Sequence, residues 1–114
     1  MKDITRTIQA DGENHTVTTV AGDTGTITLD GHLDGSLTVV AHGNAHAIRP
    51  GSGNGDAIRS DSGDGNAYRT DSGDGDAHRT DSGHGNAYRT DSGNGNAIRA
   101  GDGRGNAIRS GSGD

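Results

Sequence analysis

Apolar and polar residues alternate in three short stretches of the N-terminal part, at residues 16–20, 26–29 and 36–40. The stretches are rich in threonine, valine, isoleucine and leucine, and such alternation is typical of half-buried β-strands. Glycine-containing segments at 22–25 and 30–35 separate the stretches and predict turns. We therefore predict three short strands joined by tight turns.

A ten-residue period connects these strands to the rest of the chain, where an Ala-x-Arg triplet recurs from Ala47 onward. The apolar positions that carry the period into the repeat are Val17, Ile27, Leu37 and Ala47. A short fixed period with glycines at fixed offsets is typical of solenoid repeats. We predict an all-β fold: a single-domain β-solenoid, similar to a parallel β-helix, with ten-residue rungs and Gly-rich turns. Residues 1–46 are expected to form a more hydrophobic N-terminal cap and the first rungs. Residues 47–114 are expected to form the decapeptide-repeat solenoid, continuous with the cap.

The alanine of the triplet never varies, whereas the residue after it is isoleucine, tyrosine or histidine. A uniformly small residue indicates a tight inward position, and variable size indicates an outward one. The opposite parity stays open: it would stack isoleucine, tyrosine and histidine as a core and would bury His78. On the outward parity the variable residues form one ladder on one face, which we predict to be the interaction face: Ile48, Ile58, Tyr68, His78, Tyr88, Ile98 and Ile108.

The arginine of the triplet is difficult to place, because a regular strand that points alanine inward also points arginine inward. Burying so many charges is costly, so we expect a bend that turns the arginines outward. Each aspartate of the charged ladder lies two residues after an arginine, and interleaved charges would neutralise a stack with a spacing of about 4.8 Å. An arginine array that recognises an anionic ligand is the alternative. The ladder comprises Arg59, Arg69, Arg79, Arg89, Arg99, Asp61, Asp71, Asp81 and Asp91.

Two glycines in each decapeptide, such as Gly53 and Gly55, stand two positions apart. This spacing predicts either a positive φ at a corner or a backbone packed too closely for a Cβ atom.

The composition excludes a conventional hydrophobic core. Only 25% of the residues are hydrophobic, 22 are glycine and none is cysteine, whereas an ordinary domain is nearly half apolar. Stability must come from backbone bonds between rungs and from small side chains stacked in columns. Strict periodicity argues against the disorder that such a composition otherwise indicates.

The formal net charge of −6 disfavours direct nucleic-acid binding and permits a basic protein partner. The N-terminal residues lack an apolar run of signal-peptide length, and nothing approaches the length of a membrane span. We therefore expect a cytoplasmic protein without a membrane partner.

Candidate metal ligands are present without a telling arrangement. Asp64, Asp74 and Asn66 offer oxygen atoms for calcium, but the ligand aspartate of calcium-binding nonapeptide repeats corresponds to Ala67 here. The histidines at positions 32, 42 and 46 lack accompanying carboxylates or sulfur and are predicted to be turn residues. No catalytic triad, carboxylate pair or phosphate-binding motif is present in the sequence. We expect no enzyme activity, no cofactor and no metal.

The segment Gly-Asp-Gly-Asn-Ala-Tyr-Arg at residues 63–69 resembles glycine-rich decapeptide repeats of small phage and prophage proteins. The resemblance extends over residues 47–114, and the family supplies no functional residues to carry over. The strand-rich segment 17–40 is similar to bacterial right-handed β-helix proteins such as bactofilins. The phage resemblance implies an anti-defence protein that acts in the cytoplasm of a bacterial host.

Three functions remain in competition. The first is a non-enzymatic interaction module whose rigid acidic surface binds a protein partner, as an inhibitor of a host defence protein or as a DNA mimic. The second is a self-assembling module, a homodimer or a fibre, joined through the isoleucine and tyrosine ladder. The third is an ice-binding or calcium-binding solenoid. Ice binding requires uncharged threonine ladders, whereas Thr70, Thr80 and Thr90 are flanked by arginine and aspartate, and calcium would bind the oxygen atoms of Asp64, Asp74 and Asn66.

Overall fold

The computed structural model describes residues 3–18, 24–40, 44–60, 64–70, 73–80, 84–90, 94–100 and 105–110. Within these ranges the regular elements are β-strands, and no residue is helical. Each Ala-x-Arg triplet of the repeat lies in a strand, as predicted. The strands are β1 (Arg6–Gln9), β2 (His15–Thr18), β3 (Thr24–Asp30), β4 (Leu37–Val40), β5 (Asn44–Arg49), β6 (Ala57–Ser60), β7 (Ala67–Arg69), β8 (Ala77–Arg79), β9 (Ala87–Arg89), β10 (Ala97–Arg99) and β11 (Ala107–Arg109).

The strands form two parallel sheets that share one interior. The odd-numbered strands form a sheet in the order β1-β3-β5-β7-β9-β11, here called the odd sheet, and the even-numbered strands form the even sheet, β2-β4-β6-β8-β10. Every described strand pair is parallel and joins strands two apart in sequence. Parallel strands stacked in coils confirm the predicted all-β solenoid.

The register shows how the decapeptide builds the coil. Ala47 pairs with Ala67, and Ala57 pairs with Ala77, so each strand lies beside the strand of the decapeptide after next. The ten-residue period is confirmed as the structural repeat of one strand and one turn. One turn takes the chain only to the opposite sheet, however, so a complete coil needs two decapeptides.

The N-terminal coil is longer than the others. Its strands pair Arg6 with Ile27 and Val17 with Val39. Val17 therefore does not share a column with Leu37, although Ile27 does share one with Ala47. The ten-residue spacing of Val17 misassigned it, because an insertion in the first coil is invisible to a period count.

Two inward positions of each strand fill the interior, and each position forms one column on the odd sheet and one on the even sheet. The residues of both sheets are counted together here as the first and the second inner column. The first inner column is fully buried and consists of Ile27, Leu37, Ala47, Ala57, Ala67, Ala77 and Ala87. Inward alanine is therefore confirmed. The second inner column lies two residues further along each strand and is also fully buried: Leu29, Val39, Arg49, Arg59, Arg69, Arg79 and Arg89.

The paired glycines lie where successive turns stack. Gly75 has a φ of 157°, and a Cβ atom added to it would lie 1.8 Å from the carbonyl oxygen of Gly55. At Gly73 an added Cβ atom would lie 2.1 Å from the carbonyl oxygen of Gly53. Both predicted reasons for glycine, a positive φ and close backbone packing, are therefore confirmed.

Asparagine and aspartate side chains bond the turns of successive coils together. The Oδ1 atom of Asn54 accepts the backbone N–H of Asp74 at 3.1 Å, and the Oδ1 atom of Asp74 accepts that of Asn94 at 3.1 Å. Two positions further along the repeat, the Oδ1 atom of Asp56 accepts the N–H of Asp76 at 2.7 Å. Both residue types supply this oxygen, which explains why they interchange along the columns.

Candidate interaction surfaces

The predicted interaction ladder points outward, but the coil divides it between two faces. On the odd sheet, Ile48 pairs with Tyr68, Tyr68 with Tyr88, and Tyr88 with Ile108. Ile58, His78 and Ile98 lie in register on the even sheet. The expectation of one continuous face is therefore wrong, because successive decapeptides belong to opposite sheets. The ladder residues are partly exposed, and Ile108 is the most open at 37%.

The odd face is ordered by aromatic stacking and amide hydrogen bonds. The rings of Tyr68 and Tyr88 are stacked with centroids 4.8 Å apart and planes inclined by only 4°. The Nδ2 atom of Asn66 donates to the hydroxyl of Tyr68 at 2.9 Å, and Asn86 donates in the same way to Tyr88 at 2.8 Å. These contacts fix the orientation of both rings on the odd sheet. Tyr68 and Tyr88 therefore form a regular, half-buried aromatic strip on the odd face.

His46 extends this strip toward the N-terminal coils. Its ring lies 6.4 Å from that of Tyr68, and its Nδ1 atom accepts the backbone N–H of Asn66 at 2.8 Å. Burial lowers the pKa of His46, and the positive charge of Arg59 lowers it further. The acceptor role requires an unprotonated Nδ1, which agrees with a neutral ring.

The even face carries a different group of side chains at the corresponding positions. Asp56, Asp76 and His78 lie close together and are partly exposed, with their donor atoms within 4.8 Å of one another. The Nε2 atom of His78 lies 3.5 Å from the Oδ2 atom of Asp76. The two faces therefore share a scaffold and differ in chemistry.

The arginines do not turn outward. Arg59, Arg69, Arg79 and Arg89 are completely buried, and Arg99 is partly exposed. The predicted bend after the Ala-Ile and Ala-Tyr pairs is therefore wrong: each strand stays regular through its arginine and points it between the sheets.

Backbone carbonyl groups surround the buried guanidinium groups. The Nε atom of Arg69 donates to the carbonyl of Gly55 at 2.6 Å, and its terminal nitrogens donate to the carbonyls of Arg49 at 3.0 Å, Gly53 at 2.5 Å and Thr70. A guanidinium group has five N–H donors, and a buried charge is tolerable when such donors are satisfied. The Nε atoms of the other arginines reach the carbonyl group fourteen residues earlier in the same way, at Gly35, Ala45, Gly65, Gly75, Gly85 and Gly95.

At Arg49, the first arginine of the column, burial and nearby negative charges act on the pKa in opposite directions. Burial lowers the pKa of Arg49, and the negative charges of Asp30 and Asp34 oppose this shift. The four aspartates predicted to interleave with the arginines, Asp61, Asp71, Asp81 and Asp91, lie outside the described residues.

Carboxylates mark the outer surface of the repeat. Asp34, Asp64 and Asp74 are exposed at the turns, and Asp56 and Asp76 are partly exposed beside the even sheet. The formal net charge of −6 thus combines outward carboxylates with a column of inward arginines. In the fully buried part of that column, from Arg49 to Arg89, the guanidinium groups are inaccessible to a partner.

The other candidate ligands are separated. Asp64 and Asn66 precede β7 of the odd sheet, whereas Asp74 precedes β8 of the even sheet. The oxygen atoms considered for calcium are thus not on one face. His32 bonds Ser52 through its Nδ1 atom at 2.6 Å, and His42 lies outside the described residues. A shallow groove of about 360 Å³ beside the odd sheet is lined by Asn44, His46, Asp64, Gly65, Asn66, His84 and Gly85.

The sequence does carry a signal for inward arginines, which was rejected above because burying so many charges is costly. Arginine is as invariant as alanine across the seven triplets and stands two residues away, on the same side of an extended strand. The rule that assigned alanine to the interior therefore applies equally to arginine. The desolvation cost of a buried guanidinium group argued against an inward arginine. The sequence does not show that carbonyl groups of the preceding coil offset this cost.

No family model, curated protein or solved structure matches this chain. The strand register by itself identifies the fold as a repeat-based β-solenoid. Among the residues that the structure describes, no helix is long and apolar enough to cross a membrane.

Proposed function

We propose that this protein is a non-enzymatic interaction module whose acidic outer surface binds a basic surface of another protein. One observation carries the proposal: the arginines from Arg49 to Arg89 are fully buried, while carboxylates stand on the turns around them. A partner that touches this part of the coil meets carboxylate and amide groups rather than guanidinium groups. The arginine column, which would weaken an acidic mimic if exposed, is thereby withdrawn from contact.

The regular spacing of the coils supports a role in recognition. Parallel strands stack about 4.8 Å apart, so side chains at equivalent positions form rows of fixed spacing on a rigid support. A preordered surface loses little conformational freedom when it binds. Rows of carboxylates also attract a cationic partner and accelerate its association.

The experiment is a competition for a cationic protein. A short labelled DNA duplex is bound to a basic, sequence-nonspecific DNA-binding protein, and fluorescence anisotropy follows its release as this chain is added. We expect release at low ionic strength. Direct binding of this chain to the basic protein, measured without DNA, should be lost in about 1 M salt, where the Debye length is about 3 Å. Absence of release at low salt contradicts the proposal.

A matched variant separates charge from fold. The quadruple substitution Asp56→Asn, Asp64→Asn, Asp74→Asn and Asp76→Asn removes four negative charges and keeps the side-chain oxygens that accept turn N–H groups. Neighbouring coils already use asparagine at these positions, including Asn54 and Asn96. The variant should fold, as measured by circular dichroism, and release the duplex at least about tenfold less effectively. Equal competition by the folded variant would contradict a charge-based function.

A finer form of the proposal is a phage-encoded inhibitor, or DNA mimic, that acts on a DNA-binding or defence protein of a bacterial host. Its support is the resemblance of residues 63–69 to phage repeats together with the acidic surface.

Self-assembly is the second candidate function, and the odd face favours it. Ile48, Tyr68, Tyr88 and Ile108 align there as one apolar strip. Light scattering of the wild type and of a Tyr68→Ser, Tyr88→Ser variant tests whether this strip joins two copies. A dimer that becomes a folded monomer supports a homodimer, whereas a wild-type monomer excludes it. The matched control is Ile58→Ser with Ile98→Ser on the even face, which should leave the mass unchanged.

A further inference from the structure

A histidine and two carboxylates meet on the even face, apart from the odd-face strip. Asp76 and His78 lie two positions apart on the same side of the chain, and Asp56 occupies the position of Asp76 in the preceding coil. One donor atom from each residue lies within 4.8 Å of the other two. The site thus draws its three groups from two successive coils. These three residues are here called the triad.

Two columns of the repeat change their residues at this place. Across the decapeptides from residue 51 onward, the position before the inward alanine is aspartate only at residues 56 and 76 and is otherwise asparagine. The position after the alanine is histidine only at residue 78. On the odd face the corresponding asparagines bond tyrosine hydroxyl groups. The three departures from the repeat therefore converge on one point of the coil surface.

The hydrogen bonds of the triad leave donor atoms available. The Oδ1 atom of Asp56 accepts the N–H of Asp76 at 2.7 Å, and the Oδ1 atom of Asp76 accepts the N–H of Asn96 at 2.7 Å. The backbone thus orients each carboxylate through one oxygen and leaves the second oxygen directed elsewhere. Such bonds to the scaffold are what orients the ligands of a metal site.

The separation of the imidazole and carboxylate groups also suits a metal. The Nε2 atom of His78 and the Oδ2 atom of Asp76 are 3.5 Å apart, which is long for a hydrogen bond. Two ligands at about 2.0–2.1 Å from a tetrahedral zinc ion lie about 3.3 Å from each other. The observed separation is therefore close to that of two ligands sharing one ion.

We propose that Asp56, Asp76 and His78 bind a divalent transition-metal ion, with Zn²⁺ as the best fit. An imidazole favours zinc and its neighbours over calcium or magnesium, which prefer oxygen ligands throughout. The triad is partly exposed, so water can occupy the fourth coordination position, as in other three-ligand zinc sites. The ion links two successive coils on the even face. The site shares Asp56 and Asp76 with the acidic surface, so the competition assay for the acidic-surface function is run with a chelator to separate the two.

Calorimetric titration of ZnSO₄ into the untagged 114-residue chain tests the proposal. We expect one ion per chain and a higher melting temperature in its presence, because ligands of the folded state stabilise it. His78→Ile should weaken binding at least about 100-fold, since removing a ligand exceeds the 10–100-fold loss from disturbing a ligand's support. Isoleucine already occupies both neighbouring positions in the register, at residues 58 and 98.

The controls separate the triad from other histidines. His84→Asn should leave zinc binding unchanged, because asparagine occurs at the equivalent positions 54 and 94. Asp76→Asn should independently weaken zinc binding, and it keeps the side-chain oxygen that accepts the N–H of Asn96. A Co²⁺ titration followed by visible absorption reports coordination directly. Absence of zinc binding at concentrations up to about 1 mM, the weak end of specific affinities, would overturn the proposal. Binding that survives His78→Ile, or that is lost in His84→Asn, would overturn it as well.

Discussion

The coils of residues 6–40 and those of residues 47–89 fill the same interior position with opposite chemistry. Leu29 and Val39 occupy the second inner column in the N-terminal coils, and arginine occupies it from Arg49 onward. Ile27, Leu29, Leu37 and Val39 form a buried aliphatic cluster, whereas the later coils bury alanine and arginine. One backbone geometry therefore accepts either an apolar or a charged interior.

The two fillings stabilise the coil in different ways. Burying one leucine or isoleucine side chain contributes roughly 1.5–3 kcal/mol through the hydrophobic effect. A hydrogen bond to a charged group contributes about 1.5–3 kcal/mol, and desolvation of the ion opposes it by several kcal/mol. The arginine column is thus weak as a source of net stability. Its main effect is to satisfy inward carbonyl groups that would otherwise be buried without donors.

The glycine columns and the arginine column form one structural unit. Gly53 and Gly55 present the carbonyl groups that accept from Arg69, and Gly73 and Gly75 do so for Arg89. An added Cβ atom at Gly75 would also lie 3.0 Å from the Nε atom of Arg69. The repeat therefore keeps glycine at both positions because the turn must be narrow and must point its carbonyl groups inward.

The largest expected effect on stability comes from replacing a buried arginine by the kind of apolar residue that occupies the same inner column in the N-terminal coils. Arg69→Leu keeps an apolar side chain of the kind found at Leu29 but leaves the carbonyls of Gly53 and Gly55 without a donor. We expect a loss of about 3–5 kcal/mol in unfolding free energy, the range for removing one partner from a buried charged network. Urea unfolding followed by circular dichroism measures it.

The same substitution near the last described strand is the control for Arg69→Leu. Arg109 is partly exposed, so water can replace its hydrogen bonds, and Arg109→Leu should cost less than about 1 kcal/mol. Both arginines donate to backbone carbonyl groups and differ in burial, so equal effects at the two positions would contradict the dependence of the cost on burial.

A smaller effect is expected from a methyl group in the stacked turns. Gly75→Ala meets both an unfavourable φ and the carbonyl of Gly55, and should cost about 2–3 kcal/mol. Gly12→Ala tests a turn of the N-terminal coil, where φ is 88° but no atom lies within 4 Å of the added group. It should cost about 1 kcal/mol. Thermal unfolding compares them, and a larger effect at Gly12 would contradict tight packing of the repeat turns.

The side-chain bonds outside the coil should matter less than its interior. Asn66→Ala removes the acceptor for the N–H of Asn86 and the donor to Tyr68, and should cost about 1 kcal/mol. Asn66→Asp keeps the acceptor and should recover part of that loss. Hydrogen exchange at the amide of Asn86 reports the ladder directly, and unchanged protection in Asn66→Ala would contradict its contribution.

The smallest effect concerns pH at the junction of the two regions, where His46 lies in register between Thr26 and the repeat. Its pKa is lowered in the folded state, so the unfolded chain binds a proton more readily. Stability should therefore fall as pH drops below about 6.5, the ordinary histidine value. His46→Asn keeps an acceptor for Asn66 and should reduce the difference in urea midpoint between about pH 7.5 and pH 5. An unchanged pH dependence in this variant would contradict the assignment.

Much of the fold was predictable, because it rests on local patterns. The strands at 26–29 and 36–40, the inward alanine and the double role of glycine each follow from residue size, alternation and period. The candidate surface was predicted only in part. Outward placement of Tyr68 and Tyr88 followed from their variability, but their separation from Ile58 and His78 required the strand register.

The triad illustrates the same limit. Asp76 and His78 are close in sequence, whereas Asp56 lies twenty residues earlier and joins them only when two decapeptides complete a coil. A period of ten does not reveal whether the next decapeptide stacks on the same sheet or crosses to the other.

Residue order alone thus indicated the repeat, its strands, its turns and the inward preference of alanine, since these depend on neighbours within one decapeptide. Tertiary structure decided which decapeptides become neighbours, which outward residues share a face, and whether arginine could enter the interior. The physical reason lies in the donors and acceptors: a buried guanidinium group is tolerable only among carbonyl groups, and most of those around Arg69 lie fourteen to twenty residues earlier in sequence. Only the closed coil brings those groups together.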